Sequence, residues 1–206
     1  MEGFKRIPRH IGVIPDGNRR WAVSRGMEKK DGYRYGIEPG FQLYELCKRV
    51  GVEELTLYGF TVDNTKRPAA QKRAFQEACV EAVEELVRRD ARLLVMGNEN
   101  SPSFPPELKA FRTRQILGEG GIKVNFLVNY GWEWDLNHPG GLASQEISRI
   151  DLLIRWGGRR RLSGFLPAQS VYADICVVDQ LWPDFTEEQF YRALEWYQDQ
   201  DITLGG

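Results

Sequence analysis

Histidine and cysteine are scarce in this 206-residue chain, and their scarcity excludes several chemistries. The two histidines, His10 and His138, make no metal pair. The three cysteines, Cys47, Cys79 and Cys176, are odd in number and far apart. That argues against a disulfide framework or a zinc site and reads as reduced core residues of a cytoplasmic protein. No apolar run approaches the roughly 18 residues that span a bilayer, so no transmembrane segment is expected. The opening MEGFKRIPRH has no apolar core of a signal peptide. Lys and Arg number 28 against 29 Asp and Glu, a net charge of −1, so nothing selects a nucleic acid as partner. Repeats, low-complexity stretches, a Walker loop and a G-x-G-x-x-G fingerprint are all missing.

What is present is a succession of short apolar runs and amphipathic stretches. Ile11–Ile14, Glu54–Tyr58, Ala91–Met96, Lys123–Val128, Asp151–Arg155 and Ile175–Val178 read as strands. Ile37–Val50, a helix opening near Pro68 and extending to Arg89, Pro106–Ile116 and Thr186–Tyr197 read as helices, the last with Thr186 as N-cap. Several of the strands lack polar alternation, which predicts a mostly parallel sheet covered on both faces. The expectation is an α/β fold: one domain over residues 1–206, with a central sheet flanked by helices.

In such sheets ligands bind beyond the carboxyl ends of the strands, and the unusual residues cluster there. Asp16-Gly17-Asn18 follows the first strand, Thr61–Arg67 the second, and Arg155-Trp156-Gly157-Gly158-Arg159-Arg160-Arg161 the fifth. Arginine forks and glycine-exposed amides suit phosphate oxygens, whereas the plain alternative is a solvated basic loop. Asn64 and Arg67 precede a helix start, where anions are favoured, and the plain alternative is an ordinary loop with a cap. Asp16 could serve only the Asp-Gly turn, or it could hold Mg²⁺ against phosphate oxygens, with Asp174 a second candidate carboxylate.

Four stretches in order, HIGVIPDGNRRWA, LTLYGFTVDNTKRP, VNYGWEWDL and DLLIRWGGRRRLSGFLPAQSVYADICVVDQLWPDF, make the chain resemble the cis-prenyltransferases, the undecaprenyl diphosphate synthase family, over nearly its whole length. The resemblance implies Mg²⁺-dependent condensation of an allylic diphosphate (dimethylallyl, geranyl or farnesyl) with isopentenyl diphosphate, in a homodimer. It implies that Asp16 organises the metal and assists diphosphate departure, with Asn18 facing the reacting centre. Gly17, Arg19, Arg20, Arg67 and the adjoining Asn64 would hold the allylic diphosphate, and Arg155, Arg161 and Ser163 the isopentenyl diphosphate. Asp174 matches a metal-binding glutamate. Lys29 and Tyr33 stand at further substrate-binding positions, and Trp21, Tyr58 and Phe60 would wall the hydrocarbon channel. The sister trans-prenyltransferases use paired DDxxD clusters, which this chain lacks.

The chain departs from the family pattern in its site and in its size. Tyr33 stands for a histidine, Lys29 for an arginine, Asp63 and Thr65 for a glutamate and a tryptophan, Arg159 for a carboxylate and Gly164 for an asparagine. The stretch between Asp135 and Asp151 is too short for a helix the family normally carries, and the C-terminal DQDITLGG lacks closing arginines. Three readings follow: a regular short-chain enzyme; an irregular one that couples head-to-middle, as lavandulyl-type synthases do, or rearranges or cyclises one diphosphate; or a non-catalytic subunit partnering an active homologue. The trimmed helix after Pro68, with Phe75 as a plug for the channel, predicts short products.

Overall fold

The computed structural model describes residues 4–201. The N-terminal residues 1–3 and the final 202–206 of the arginine-poor C-terminus lie outside the described residues. The strands are β1 (His10–Ile14), β2 (Glu54–Tyr58), β3 (Ala91–Met96), β4 (Gln115–Leu117), β5 (Ile122–Leu127), β6 (Leu152–Trp156) and β7 (Asp174–Val178). The α-helices are α1 (Asn18–Ser24), α2 (Ile37–Val50), α3 (Ala69–Leu86), α4 (Trp132–Leu136) and α5 (Glu187–Gln198). The strands form one sheet in the order β4-β3-β5-β2-β1-β6-β7, parallel throughout except for β4 against β3.

β1 and β6 are buried at all five positions, which is why they lack polar alternation and carry, beside His10 and Arg155, only apolar residues and glycine. Glycine in the left-handed region stops α2 at Gly51, and Thr186 exchanges capping bonds with Gln189 at the start of α5. Strand alternation sends Ile11 and Val13 to one face, where residues of α2, α3 and α5 form the larger core. Ile14, Tyr58, Leu94 and Leu127 point to the other face and pack under Tyr130, Ile147, Ile150 and Phe165.

The stretches 131–150 and 157–173, on either side of β6, cover that second face almost without helix; their α-helix is the single turn and a half of α4. A buried carboxylate holds the first of them down. Asp135, 1% exposed, accepts bonds from the Tyr130 hydroxyl at 2.6 Å, the Ser144 hydroxyl at 2.6 Å and the Ser144 N–H at 2.8 Å. Charge-assisted bonds from three donors offset the cost of burying the anion. The segment read as too short for a helix is therefore a hydrogen-bonded strap.

The helix expected over Pro106–Ile116 is a correction. A 3-10 turn ends at Arg112, and Gln115–Leu117 leaves to pair antiparallel with Ala91–Leu93. Cys47 and Cys79 are buried as expected, with Cys176 half-buried. No described helix is long and apolar enough to cross a membrane.

Candidate active site

Because β1, β2 and β6 run parallel side by side, their following loops open on one rim. Gly157 lets two of these loops meet: a Cβ there would stand 2.5 Å from Arg20 Nη2 and 3.0 Å from the Asp16 carbonyl oxygen, and its φ of 87° suits glycine. Arg20 Nη2 donates to the Gly157 carbonyl at 2.8 Å, and Trp182 N–H to the Asp16 carbonyl at 3.0 Å.

A cleft of about 790 Å³ lies over this rim. Its lining carries seven cations, Arg19, Arg20, Lys29, Arg67, Arg155, Arg159 and Arg161, against two carboxylates, Asp16 and Asp63. A chain of net charge −1 thus concentrates a surplus of five positive charges in one cavity. Of the expected site residues, Asp16, Gly17, Asn18, Arg19, Arg20, Lys29, Tyr33, Asn64, Arg67, Arg155, Arg161 and Ser163 all line it.

The cleft has two sides. On one, the buried Arg155 donates through Nη2 to Asp16 Oδ2 at 3.0 Å and through Nη1 to the Ser163 hydroxyl at 3.0 Å and the Arg161 carbonyl. The Tyr58 hydroxyl donates to the Ser163 carbonyl at 3.0 Å, and burial pushes that phenol above its ordinary value. On the other side, Arg67 Nη1 donates to the Tyr33 hydroxyl at 2.8 Å. Burial lowers the Arg67 pKa from its ordinary value, Tyr33 opposing, and among the described residues Arg67 forms no salt bridge. It is a poorly solvated cation facing open space, suited to an anion. Asn64 lines the cleft, but its carboxamide oxygen accepts from Thr61 N–H in a capping box.

A second cavity, of about 90 Å³, leaves the cleft floor and runs between the sheet and helices α2 and α3. Pro15, Asn18, Tyr33, Tyr58, Gly59 and Phe75 line both cavities, so they mark the junction. Beyond them the walls are apolar: Leu57, Val83, Leu86, Val124 and Phe126. Phe75 therefore stands at the mouth of this tunnel, not at its floor.

Three expected site residues are placed elsewhere. Phe60, expected in the channel wall, lines neither cavity; it is fully buried and backs Phe75 edge-on at 5.4 Å. Trp21 lines neither cavity; its Nε1 donates to Asp184 Oδ1 at 2.7 Å and Arg25 lies over its ring at 4.1 Å, so it pins α1 to the Trp182–Asp184 turn. Asp174 opens β7 level with Leu152, at the amino ends of the strands, and pairs with Arg6 at 4.0 Å. Asp16 lies past the carboxyl ends, so one chain does not bring these two carboxylates together. Among the described residues no cluster of three or more His, Cys, Asp or Glu could hold a metal. Mg²⁺ needs no such cage, since one carboxylate plus substrate phosphates and water suffices, and Asp16 beside the cationic cleft fits that use.

Phe75, expected as a plug, lines the cleft, and so do Thr61, Asp63 and Arg159, to which the sequence assigned no substrate contact. All but Phe75 sit in the very loops that follow β2 and β6, so loop position was the available signal.

The chain is similar to known proteins over nearly its whole length. The family model described as "Putative undecaprenyl diphosphate synthase" matches residues 14–146 and 139–205. The two matched segments overlap within the strap, over residues 139–146. A ditrans,polycis-undecaprenyl-diphosphate synthase of Pectobacterium atrosepticum, described as specific for (2E,6E)-farnesyl diphosphate, is 33% identical over 230 residues, covering 97% of this chain and 90% of its own. An isoprenyl transferase of Leptospira interrogans is 30% identical, covering 97% and 95%. Each alignment spans 230 positions against a chain of 206, so at least 24 positions of each relative have no counterpart here. Lavandulyl diphosphate synthase from Lavandula x intermedia, solved with dimethylallyl diphosphate, has the same fold: TM-score 0.80, 23% identity, covering 97% of this chain and 98% of its own.

Proposed function

This chain belongs to the undecaprenyl diphosphate synthase family of cis-prenyltransferases, and from that premise we propose that it condenses an allylic diphosphate with isopentenyl diphosphate to a short-chain prenyl diphosphate. The observation that carries the reading is the junction of a cleft holding seven cations with a narrow apolar tunnel, which is the shape of a molecule with a diphosphate head and a hydrocarbon tail.

The allylic diphosphate lies with its phosphates toward Asn18, Arg19, Arg20 and Arg67 and its chain in the tunnel. Isopentenyl diphosphate takes the other side, at Arg155, Arg161 and Ser163. The C1–O bond breaks with both electrons going to the departing diphosphate. The double bond of isopentenyl diphosphate forms the new bond to C1, and a proton is lost from the resulting cationic carbon skeleton. Charge develops on the leaving phosphates, and guanidinium groups already fixed around them stabilise it without reorganisation. Asp16 would hold Mg²⁺, which would supply further neutralisation of that charge. Asp174 is at the wrong end of the sheet to join Asp16 within one chain.

Mass spectrometry of products from dimethylallyl, geranyl and farnesyl diphosphates tests this, each with and without isopentenyl diphosphate. Chain extension by five carbons only when isopentenyl diphosphate is present is the expected result. Products formed from an allylic diphosphate alone would replace this reading by head-to-middle coupling or cyclisation. No product under any condition would favour a non-catalytic subunit.

A further inference from the structure

The cleft and the tunnel meet at two stacked rings. Tyr33 and Phe75 lie with centroids 4.4 Å apart and planes 2° from parallel. The fully buried Phe60 ring meets Phe75 edge-on at 5.4 Å and backs it. The backbone at Tyr33 is fixed, because its turn is docked tightly on the start of α1, so the ring can move only by turning about its own side-chain bonds. A Cβ at Gly32 would lie 2.1 Å from the Asn18 carbonyl oxygen, and one at Gly36 2.6 Å from Asn18 Oδ1. Arg67 donates to the Tyr33 hydroxyl at 2.8 Å, and its guanidinium carbon lies 5.8 Å and 5.5 Å from the Tyr33 and Phe75 centroids. One arginine thus faces the anion cleft and touches both leaves of the stack.

Arg67 holds Tyr33 through a single Nη1–H bond, and its planar fork can grip a diphosphate through two N–H groups at once only by aligning with the phosphate. A phenol oxygen is a neutral acceptor, whereas a diphosphate oxygen is charged and makes a bond about twice as strong. A diphosphate gripped in this two-pronged way competes with Tyr33 for the orientation of the guanidinium. We propose that Tyr33 is a positioning residue that gates the tunnel: tethered to Arg67 it stays stacked on Phe75 and closes the mouth, and capture of a diphosphate by Arg67 frees it to admit the hydrocarbon chain. The proposal rests on reading the cleft as a prenyl diphosphate site. It gives the enzyme a way to refuse prenyl alcohols and other uncharged isoprenoids, which carry no group to engage Arg67 and so meet a closed tunnel.

The test uses the full chain, inorganic pyrophosphate, and the neutral dye N-phenyl-1-naphthylamine, whose fluorescence rises in apolar surroundings. Calorimetry reports pyrophosphate binding separately. In the wild type, saturating pyrophosphate should tighten dye binding about fivefold or more, the lower end of ordinary coupling between two sites. Tyr33→Phe keeps the ring and removes the acceptor, so its dye affinity should no longer respond, while its pyrophosphate affinity stays at or above that of the wild type. Phe75→Leu should bind the dye tightly without pyrophosphate. Pyrophosphate binding with unchanged dye affinity, or a full response in Tyr33→Phe, would overturn the gate and leave the cleft reading standing. Absence of pyrophosphate binding would overturn both.

Discussion

Arg155 and Asp16, 139 residues apart in the chain, are joined at 3.0 Å, and the arginine side chain is 4% exposed. The pair fixes the loop after β6 against the loop after β1. It also means that the carboxylate assigned to the metal is already engaged by a cation, with Arg20 at 3.7 Å on its other oxygen.

Replacing Asp16 with Asn should therefore act twice. Turnover should fall by about 100-fold or more, the scale seen when one preorganised charge-stabilising group is removed. Stability should fall by about 1–2 kcal/mol, because a buried guanidinium loses its carboxylate; the full cost of a buried pair is larger, but Asp16 is 35% exposed and partly screened. Thermal melts check the second part, and inorganic pyrophosphate should raise the melting temperature of Asp16→Asn more than that of the wild type. Unchanged turnover at saturating Mg²⁺ would remove Asp16 from the mechanism.

Arg161→Ala should separate the two substrates. Its side chain is exposed at the rim, whereas Arg155 also anchors Asp16, so Arg161 is the cleaner probe. A hydrogen bond to a charged group contributes about 1.5–3 kcal/mol, so KM for isopentenyl diphosphate should rise about 10- to 100-fold while KM for the allylic substrate changes little. Equal effects on both would refute the division of the cleft.

His10 should make the fold acid-sensitive. It is buried, its Nδ1 is 3.0 Å from the Ser148 carbonyl and its Nε2 2.8 Å from the Thr56 hydroxyl, which suits a neutral ring donating on one side and accepting on the other. Burial lowers its pKa from the ordinary 6.5. The unfolded chain then binds the proton first, so stability is fully present above pH 6.5 and is lost as pH falls below it, by at most about 1.4 kcal/mol per pH unit. Denaturant melts of the wild type and His10→Gln between pH 7 and pH 5 check this; the variant should show the shallower decline.

Products should be short, about C10 to C20, since each further isoprene must bury five more carbons at about 0.8 kcal/mol per CH₂ and the tunnel offers little room. Leu86→Ala removes bulk from the wall, eleven residues along α3 from Phe75, and should shift the distribution to longer chains. Chains of about C50 from the wild type would contradict the depth argument behind this burial estimate.

A homodimer is expected as well. β7 is an edge strand, and Val171, Tyr172 and Ile175 beside it are 68%, 55% and 43% exposed. An uncovered parallel edge with apolar neighbours favours a partner. A monomer in light scattering at micromolar concentration would count against it.

Most strands were legible because burial on both sides leaves apolar residues without polar alternation, as in Leu152–Ile154. β4 was not: it has three residues, partly exposed, and exists only because Ala91–Leu93 offers it an edge. The cleft residues were legible because a parallel sheet sends its loops to one rim. Trp21 lines neither cavity, since one residue along a helix turns a side chain by about 100° and takes it from Arg20's side toward Asp184. Asp174 was misplaced in the same way by strand direction, because it begins its strand where Asp16 follows the end of another. The pairing of Tyr33 with Phe75 is a contact between distant segments, and no local pattern announces it.

The charge imbalance of the cleft has an effect on how substrate arrives. If the cleft carries a surplus of five positive charges and the whole chain nets −1, the remainder carries a surplus of six negative ones. The molecule is a strong electric dipole with its positive pole at the cleft mouth. An incoming diphosphate is repelled by most of the surface and drawn to one opening, so encounters are oriented before contact. Such attraction reaches about 10 Å at 0.1 M salt and shrinks as salt rises, so kcat/KM should fall with ionic strength while kcat holds nearly constant.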